Sequence, residues 1–149
     1  MMNTKSIGRI GIVVAAALAL AAMAAPLAQA KGPGKAVMTP VADVKWADAG
    51  FPGVSIAAVD GDTKKGASHF FLKYAAGFVS PPHHHSPDHH VVTVSGTLVL
   101  TAGGKEVRLA PGSYFAFKDK AAHVARCEGA QDCVMFVDAR GRWDVVPTK

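Results

Sequence analysis

Beyond its first thirty residues the chain lacks several features that would assign it to a large class of proteins. It has no second hydrophobic run long enough to span a bilayer, no run of Lys or Arg, and no long segment with an apolar period of 3.6. These absences exclude further membrane spans, give nucleic-acid binding little support and argue against a helical bundle. The chain also has only two cysteines, and their spacing excludes a CxxC redox site.

The single hydrophobic run lies near the start, from Ile10 to Ala25, between a short basic segment and an A-x-A exit. This pattern predicts a secretory signal peptide, residues 1–30, cleaved near Ala30/Lys31. The run has 16 residues, fewer than the roughly 20 that span a bilayer, so cleavage is favoured over an uncleaved membrane anchor. The protein is therefore expected to be exported, periplasmic or secreted, with no stable membrane association after cleavage.

Residues 31–149 are long enough for one domain with a hydrophobic core. The first of them, 31–40, contain Gly and Pro and are predicted to form a flexible arm, and 41–149 are predicted to form the domain. Residues 1–30 carry two of the 16 Lys and Arg and none of the 11 Asp and Glu, which leaves the exported part near +3. The pI of 9.4 therefore overstates its basicity, and no nucleic-acid partner is expected.

Export gives the two cysteines, Cys127 and Cys133, a structural interpretation, because an oxidising compartment favours a disulfide. If residues 129–131 form a three-residue hairpin loop, the two cysteines face each other on paired strands, close enough for a bridge. The alternative is a pair of buried thiols.

Short segments rich in β-forming residues make up most of the remaining sequence, and turn residues such as DGD at 60–62 and GG at 103–104 separate them. Several short strands at near-regular spacing predict an all-β sandwich or barrel. The predicted strands are Val54–Val59, Ser68–Tyr74, His90–Val94, Thr97–Thr101, Lys105–Leu109, Tyr114–Phe117, His123–Cys127, Cys133–Val137 and Arg142–Val146.

Five of the seven histidines lie in the eight residues from His83 to His90. Alternate residues of a strand point to the same face, so His83 and His85 can project inward while His84 points away. After a turn, the next strand begins with His89 or His90. Imidazole is the commonest metal ligand, which favours a metal site; the alternative is an exposed, metal-adhesive loop without defined geometry.

The histidines and the glycines around them resemble the first motif of the cupin family: Gly, five residues, His-x-His, three or four residues, Glu, six residues, Gly. In this chain Gly77, His83, His85, His89 and Gly96 keep every spacing, and His89 stands where the family usually has Glu. That spacing favours His89 over His90.

The second cupin motif is present in a degenerate form. Gly112 and His123 keep its frame, but the family's Pro, Gly and Asn are replaced by Lys118, Lys120 and Cys127. The resemblance spans about residues 46–146. It implies an all-β fold, a single small double-stranded β-helix (a jelly-roll-like barrel) that follows the signal peptide, and commonly a homodimer.

The resemblance also implies that His83, His85, His89 and His123 bind one divalent transition metal, with His84 and His90 pointing away. Imidazole suits Fe, Cu, Ni and Zn, and Mn is less favoured than in a site with Glu. No carboxylate in the motif is an obvious general base, because Asp88 should face away from the site. This weakens the case for hydrolysis and leaves O2-dependent oxidation open.

Three hypotheses for the function follow. The first is a metal-dependent dioxygenase or related oxidoreductase acting on a small molecule. The second is a non-catalytic periplasmic cupin that binds a metal or a small ligand. The third is a β-barrel whose histidines are only buried polar residues.

We expect His69 to be a surface residue, and Trp46 and Trp143 to pack at the rim of the barrel.

Overall fold

A computed structural model of the protein describes residues 35–148, so the predicted signal peptide and the first residues of the predicted arm lie outside the described part. From Ala36 onward the chain forms one compact unit. Residues 36–40 are exposed and without regular structure, and a single 3-10 turn follows at Val41–Asp43. Within 35–148 there is no helix with the length and apolar character that a membrane crossing requires.

The described residues form eleven strands in two antiparallel sheets. One sheet has the order β1-β2-β3-β10-β5-β8 and the other β11-β4-β9-β6-β7. The predicted all-β fold of the jelly-roll type is confirmed. The strands are β1 Ala47–Asp48, β2 Val54–Gly61, β3 Ser68–Tyr74, β4 His83–His84, β5 His89–Ser95, β6 Thr97–Ala102, β7 Lys105–Leu109, β8 Tyr114–Phe117, β9 His123–Glu128, β10 Cys133–Ala139 and β11 Val146–Pro147.

The core lies between the two sheets and is built from the alternate, inward-facing residues of each strand. In β3 and β10 every second side chain is buried, with Phe70 and Leu72 meeting Met135 and Val137 in one cluster. Burying side chains of this size stabilises the fold by roughly 1.5–3 kcal/mol each. In β5 the same inward row begins with His89 and continues with Val91 and Thr93, so the metal-ligating candidates lie on the rows that form the core.

The predicted disulfide is present, and it joins Cys127 to Cys133 with their Cα atoms 5.6 Å apart. The predicted hairpin that was to hold it is wrong. Strand β9 pairs with β4 and β6 in one sheet, whereas β10 pairs with β3 and β5 in the other. The bridge therefore links the two sheets. Gly96 lies against it with φ +73°, and a Cβ there would come within 2.8 Å of the Cα of Cys133.

The last predicted strand, Arg142–Val146, is also wrong, because only Val146–Pro147 forms a strand. The backbone before it has other partners: the amide of Trp143 donates to the carbonyl of Thr63 at 2.8 Å, and the carbonyl of Asp144 accepts from a histidine. The other predicted strands agree with the structure to within two residues at each end. The two-residue strands β1 and β4 were not predicted.

Candidate metal centre

Four buried histidines lie together between the sheets. His83 is on β4, His85 follows that strand, His89 begins β5 and His123 begins β9. Each exposes at most 6% of its surface. His83 and His123 are direct partners in the β4–β9 ladder, and the other two reach the same space because alternate residues of a strand face one way. The period-2 pattern of the sequence therefore builds this cluster.

Three of the histidines form a group that could bind a metal ion. Ligand atoms of His83, His85 and His123 all lie within 4.8 Å of one another. The ring centroid of His83 lies 4.4 Å from that of His123 and 4.9 Å from that of His85, and the ring centroids of His85 and His123 are 5.3 Å apart. No carboxylate belongs to this group in the described part of the chain.

His89 lies beside this group of three and outside it. Its ring centroid is 4.8 Å from that of His85 and 6.4 Å from that of His123. The neighbouring His90 is only half-buried, and its Nδ1 lies 2.6 Å from the Tyr114 hydroxyl, away from the cluster. His69 is on the surface, between Asp60 and Asp138.

Hydrogen bonds to backbone carbonyls fix the tautomer of all four buried histidines. The Nδ1 atoms of His83, His89 and His123 lie 2.9, 3.1 and 3.0 Å from the carbonyl oxygen two residues upstream, and Nδ1 of His85 lies 2.5 Å from the carbonyl oxygen of Asp144. A carbonyl can only accept, so each Nδ1 carries the proton and donates it. Each Nε2 is left with a free lone pair, the arrangement typical of metal-ligating histidines.

Burial keeps these imidazoles neutral. It lowers the pKa of His85 to about 3 and that of His123 to about 4, and it lowers the pKa of His83 and of His89 as well. The lone pairs needed for coordination are therefore present at neutral pH without the loss of a proton. Neutral nitrogen donors suit Fe, Cu, Ni and Zn better than Mg or Ca, so these residues fit a transition metal.

Comparison with known proteins agrees with this geometry. Residues 70–138 match the family model described as Cupin domain, and solved structures named as cupins share the fold. The chain belongs to the cupin superfamily. The match covers both motifs, from β3 to β10, including all four buried histidines.

Several solved structures resemble this cupin. KdgF from Halomonas sp. is 22% identical, with a TM-score of 0.58 over 68% of this chain and 93% of that one. The polyketide cyclase RemF from Streptomyces resistomycificus is 19% identical, with a TM-score of 0.64 over 78% and 87%. The DMSP lyase DddQ from Ruegeria pomeroyi DSS-3 is 19% identical, with a TM-score of 0.59 over 72% and 62%. At these identities the likeness establishes the fold alone. No curated protein matches the sequence significantly.

Aromatic rings support two of the histidines of this cupin. The indole of Trp143 stacks on His85 with centroids 3.9 Å apart, and the ring of Phe117 stacks on His123 at 3.8 Å. Trp143 also meets His89 edge-on at 5.0 Å. Trp143 is predicted from the sequence to pack at the barrel rim, and nothing in its local sequence marks it as part of the site.

The degenerate second motif adopts an unusual turn. Asp119 and Lys120 both have positive φ, 53° and 57°, a conformation that non-glycine residues adopt at a cost. Lys120 stands where the family motif has Gly. The turn is held by the Asp119 amide, which donates to the Asp88 carboxylate at 3.1 Å, and its last residue, Ala121, accepts the Nδ1 proton of His123. Asp88 is thus engaged away from the histidines, as predicted.

A cavity of about 260 Å³ adjoins the site on the side of His83 and His85. It lies between β2 and β3 of one sheet and the segments around β4 and β11 of the other. A second cavity, inside the barrel beside His89 and His123, has only about 30 Å³, room for about one water molecule. Trp143 lines both cavities. The larger cavity is therefore the space in which a small molecule could meet the histidines.

Proposed function

We propose that this protein is an exported, metal-dependent oxidoreductase of the dioxygenase type that acts on a small molecule. One divalent transition metal would be held by Nε2 of His83, His85, His89 and His123. The observation that carries the proposal is the set of four Nδ1–carbonyl hydrogen bonds. They satisfy the four buried Nδ1–H donors, and by holding the protons on Nδ1 they leave four Nε2 lone pairs free in one cluster, which a metal site requires.

The donor set favours Fe, Cu, Ni or Zn and disfavours Mn, because all the candidate ligands are imidazoles. Four neutral ligands would leave the metal with its full double positive charge. When bound, such a metal supplies Lewis acidity and, for Fe or Cu, redox chemistry. The chain itself holds His83, His89 and His123 on strands and His85 directly after one, and sites on strands preserve geometry better than sites on loops.

The reaction class follows from what surrounds the histidines. Within residues 35–148 the group of three includes no carboxylate, and Asp88 is bonded to Asp119 instead. A general base for hydrolysis or proton abstraction is therefore missing from that group, whereas O2-dependent oxidation relies mainly on metal and substrate. The cavity beside His83 and His85 supports access of a small molecule.

The structural neighbours named as a polyketide cyclase and a DMSP lyase support small-molecule chemistry on this fold. A non-catalytic metal- or ligand-binding role is the second candidate. It is favoured by the rings of Trp143 and Phe117, which pack directly on two of the histidines and restrict the space on those sides.

Metal analysis of the protein purified from its own compartment tests the proposal, with absorption spectra recorded under air and without it. We expect about one equivalent of Fe, Cu, Ni or Zn per chain and, for an oxidoreductase, a spectrum that changes when air is admitted. One equivalent of metal with identical spectra and no oxygen uptake would favour the binding role. Protein without bound metal that also takes none up on reconstitution would contradict the oxidoreductase and a metal-binding role alike.

Export is tested separately by N-terminal sequencing of the protein recovered outside the cytoplasm. We expect the mature chain to begin at or near Lys31, as the A-x-A exit predicts. Recovery of chains that retain Met1 would contradict cleavage without bearing on the metal site.

A further inference from the structure

The larger cavity is lined by a buried tyrosine whose hydroxyl has no partner among residues 35–148. Tyr74 on β3 exposes only 7% of its surface and lines this cavity. Burial alone accounts for the raised pKa of this phenol, and no hydrogen-bond partner within residues 35–148 contributes to it. A buried donor without a partner costs stability, so a tyrosine in the wall of a cavity beside the histidines suggests a bound ligand.

Other polar groups of the cavity wall already have partners. The Ser80 hydroxyl accepts from the amide of Ala125 at 2.9 Å. The carboxylates of Asp48 and Asp144 accept from backbone amides at 2.8 and 2.7 Å. Lys64, at the exposed edge, adds a positive charge. The Ser80 hydroxyl keeps its own proton free, so Tyr74 and Ser80 are the two buried hydroxyl groups of this wall that can donate to a ligand.

The rest of the wall is apolar. Val54, Ile56, Leu72 and Phe78 line it together with Tyr74, and the rings of Tyr74 and Phe78 pack with centroids 4.6 Å apart. A volume of about 260 Å³ lies just below the usual range for drug-sized ligands. Such a cavity fits a molecule with a single ring or a short branched chain and few polar atoms.

The protonation state of Tyr74 and the charge of the proposed metal indicate which polar group the bound molecule should carry. Burial raises the pKa of the Tyr74 phenol, so the hydroxyl is protonated at neutral pH and can donate. A divalent metal held only by neutral imidazoles would attract a negatively charged oxygen at the histidine end. Hydrogen bonds to an ionised acceptor are about twice as strong as neutral ones. An anionic oxygen would therefore interact more strongly than a neutral oxygen with both the Tyr74 hydroxyl and the proposed metal.

We propose that this cavity binds a small carboxylic acid with an apolar body, whose carboxylate accepts a hydrogen bond from the Tyr74 hydroxyl beside His83 and His85. The proposal deepens the proposed function and rests on it for the charge of the metal. Tyr74 acts as a specificity-determining residue: it favours a molecule that carries an anionic oxygen over an uncharged molecule of the same size and shape.

Three probes separate the parts of the proposal. Benzoate has the ring and the charge, benzyl alcohol has the ring without the charge, and acetate has the charge without the ring. Binding to the Zn²⁺-loaded protein and to the metal-free protein is followed by tryptophan fluorescence in a Trp46→Phe background, in which the remaining indole, Trp143, lines the cavity. We expect the Zn²⁺-loaded protein to bind benzoate more tightly than either of the other two probes.

The variant Tyr74→Phe removes the hydroxyl and keeps the ring, so the fold should persist, and its thermal unfolding is recorded as a check. We expect benzoate to bind about tenfold more weakly, the effect of losing one hydrogen bond to a charged group, with metal content unchanged. Tyr114→Phe is the matched control, because Tyr114 is 61% exposed and lies outside the cavity; its benzoate affinity should equal that of the wild type. Ile56→Phe, which fills the cavity, should weaken benzoate and leave the metal in place.

Equal benzoate affinity for the wild type and Tyr74→Phe, or acetate bound as tightly as benzoate, would overturn the inference. Failure of the metal proposal gives a different result. The wild type would then bind no Zn²⁺, while the affinity ratio of wild type to Tyr74→Phe, measured in the metal-free protein, would still report on the hydroxyl. A ratio near one in both forms rejects the role of Tyr74 whatever the metal does.

Discussion

The indole of Trp143 lies nearly parallel to the imidazole of His85, with centroids 3.9 Å apart and 20° between the ring planes. The carbonyl of the next residue, Asp144, accepts the Nδ1 proton of the same imidazole at 2.5 Å. Two consecutive residues near the end of the chain therefore fix both the position and the tautomer of His85. Groups that orient a ligand in this way contribute to metal affinity without touching the metal.

We predict that Trp143→Ala weakens metal binding about tenfold, the lower end of the effect of losing an orienting partner. The imidazole of His85 would keep its hydrogen bond to Asp144 but lose the ring that holds its plane. Chelator competition measures the affinity. Trp46→Ala is the control, because Trp46 is 39% exposed and packs on Phe71 rather than on a histidine. Equal affinities for the two variants would show that the stacking does not support the site.

The buried histidines also make the stability of the metal-free protein depend on pH. Burial lowers the pKa of His85 to about 3 and that of His123 to about 4 in the folded chain, while the unfolded chain titrates near 6.5. Between these values the unfolded state binds more protons, so the free energy of unfolding rises with pH. Each such histidine can contribute up to about 1.4 kcal/mol per pH unit.

We therefore predict that metal-free protein loses stability steadily as the pH falls from about 6.5 toward 4. Urea unfolding at pH 7.0, 6.0, 5.0 and 4.5 measures this loss. His85→Phe should reduce the slope, and His84→Phe should not, because His84 is only half-buried. Equal slopes for both variants and the wild type would assign the acid sensitivity to other groups. The same lowered pKa values should let metal binding persist below pH 6, further than unperturbed imidazoles would allow.

Local patterns in the sequence explain why so much of the barrel and its histidine cluster could be predicted. Strand alternation is a property of adjacent residues, so the inward faces of His83 and His85 follow from it directly. The choice of His89 over His90 comes from the resemblance to the cupin motif. Which strands pair is a long-range property. Cys127 and Cys133 are six residues apart, and their bridge was predicted, yet their strands belong to different sheets.

The parts of the site that escaped prediction depend on contacts between distant residues. His85 and the carbonyl that it bonds are 59 residues apart, and no periodicity or motif relates them. The segment around Trp143 has the composition of a strand, but its backbone groups bond to Thr63 and to His85 instead of to a ladder. Tertiary partners overrode a β propensity that depends strongly on context.

The turn before His123 gives a prediction about stability. Lys120 has φ +57°, a conformation that costs a residue with a Cβ about 1–2 kcal/mol. Replacement by Gly removes this cost, but the greater freedom of Gly in the unfolded chain offsets about 0.4–1 kcal/mol of the gain in stability. We predict that Lys120→Gly stabilises the protein by about 0.5–1 kcal/mol, a rise in Tm of a few degrees. Lys118→Gly is the control and should lower the Tm, because Lys118 is outside the positive-φ pair. A fall in Tm for both variants would contradict the strain.

The proposed fourth ligand, His89, is the most testable part of the proposed metal site. His89 is buried with Nδ1 bonded to the Pro87 carbonyl, and His90 lies half-buried with Nδ1 2.6 Å from the Tyr114 hydroxyl. A slip of one residue in β5 would exchange their faces, but the β5–β8 ladder pairs His89 with Phe117 and His90 with Ala116.

We predict that His89→Ala lowers the bound metal or its affinity and that His90→Ala changes neither, measured at equal protein concentration and metal load. His85→Ala is the positive control, since His85 belongs to the group of three, and it should lose most of the metal. Loss of metal in His90→Ala with retention in His89→Ala would contradict the register. Retention in both, with loss in His85→Ala, would mean that His83, His85 and His123 suffice. The position near His89 would then be open, with room for about one water molecule in the small cavity beside it.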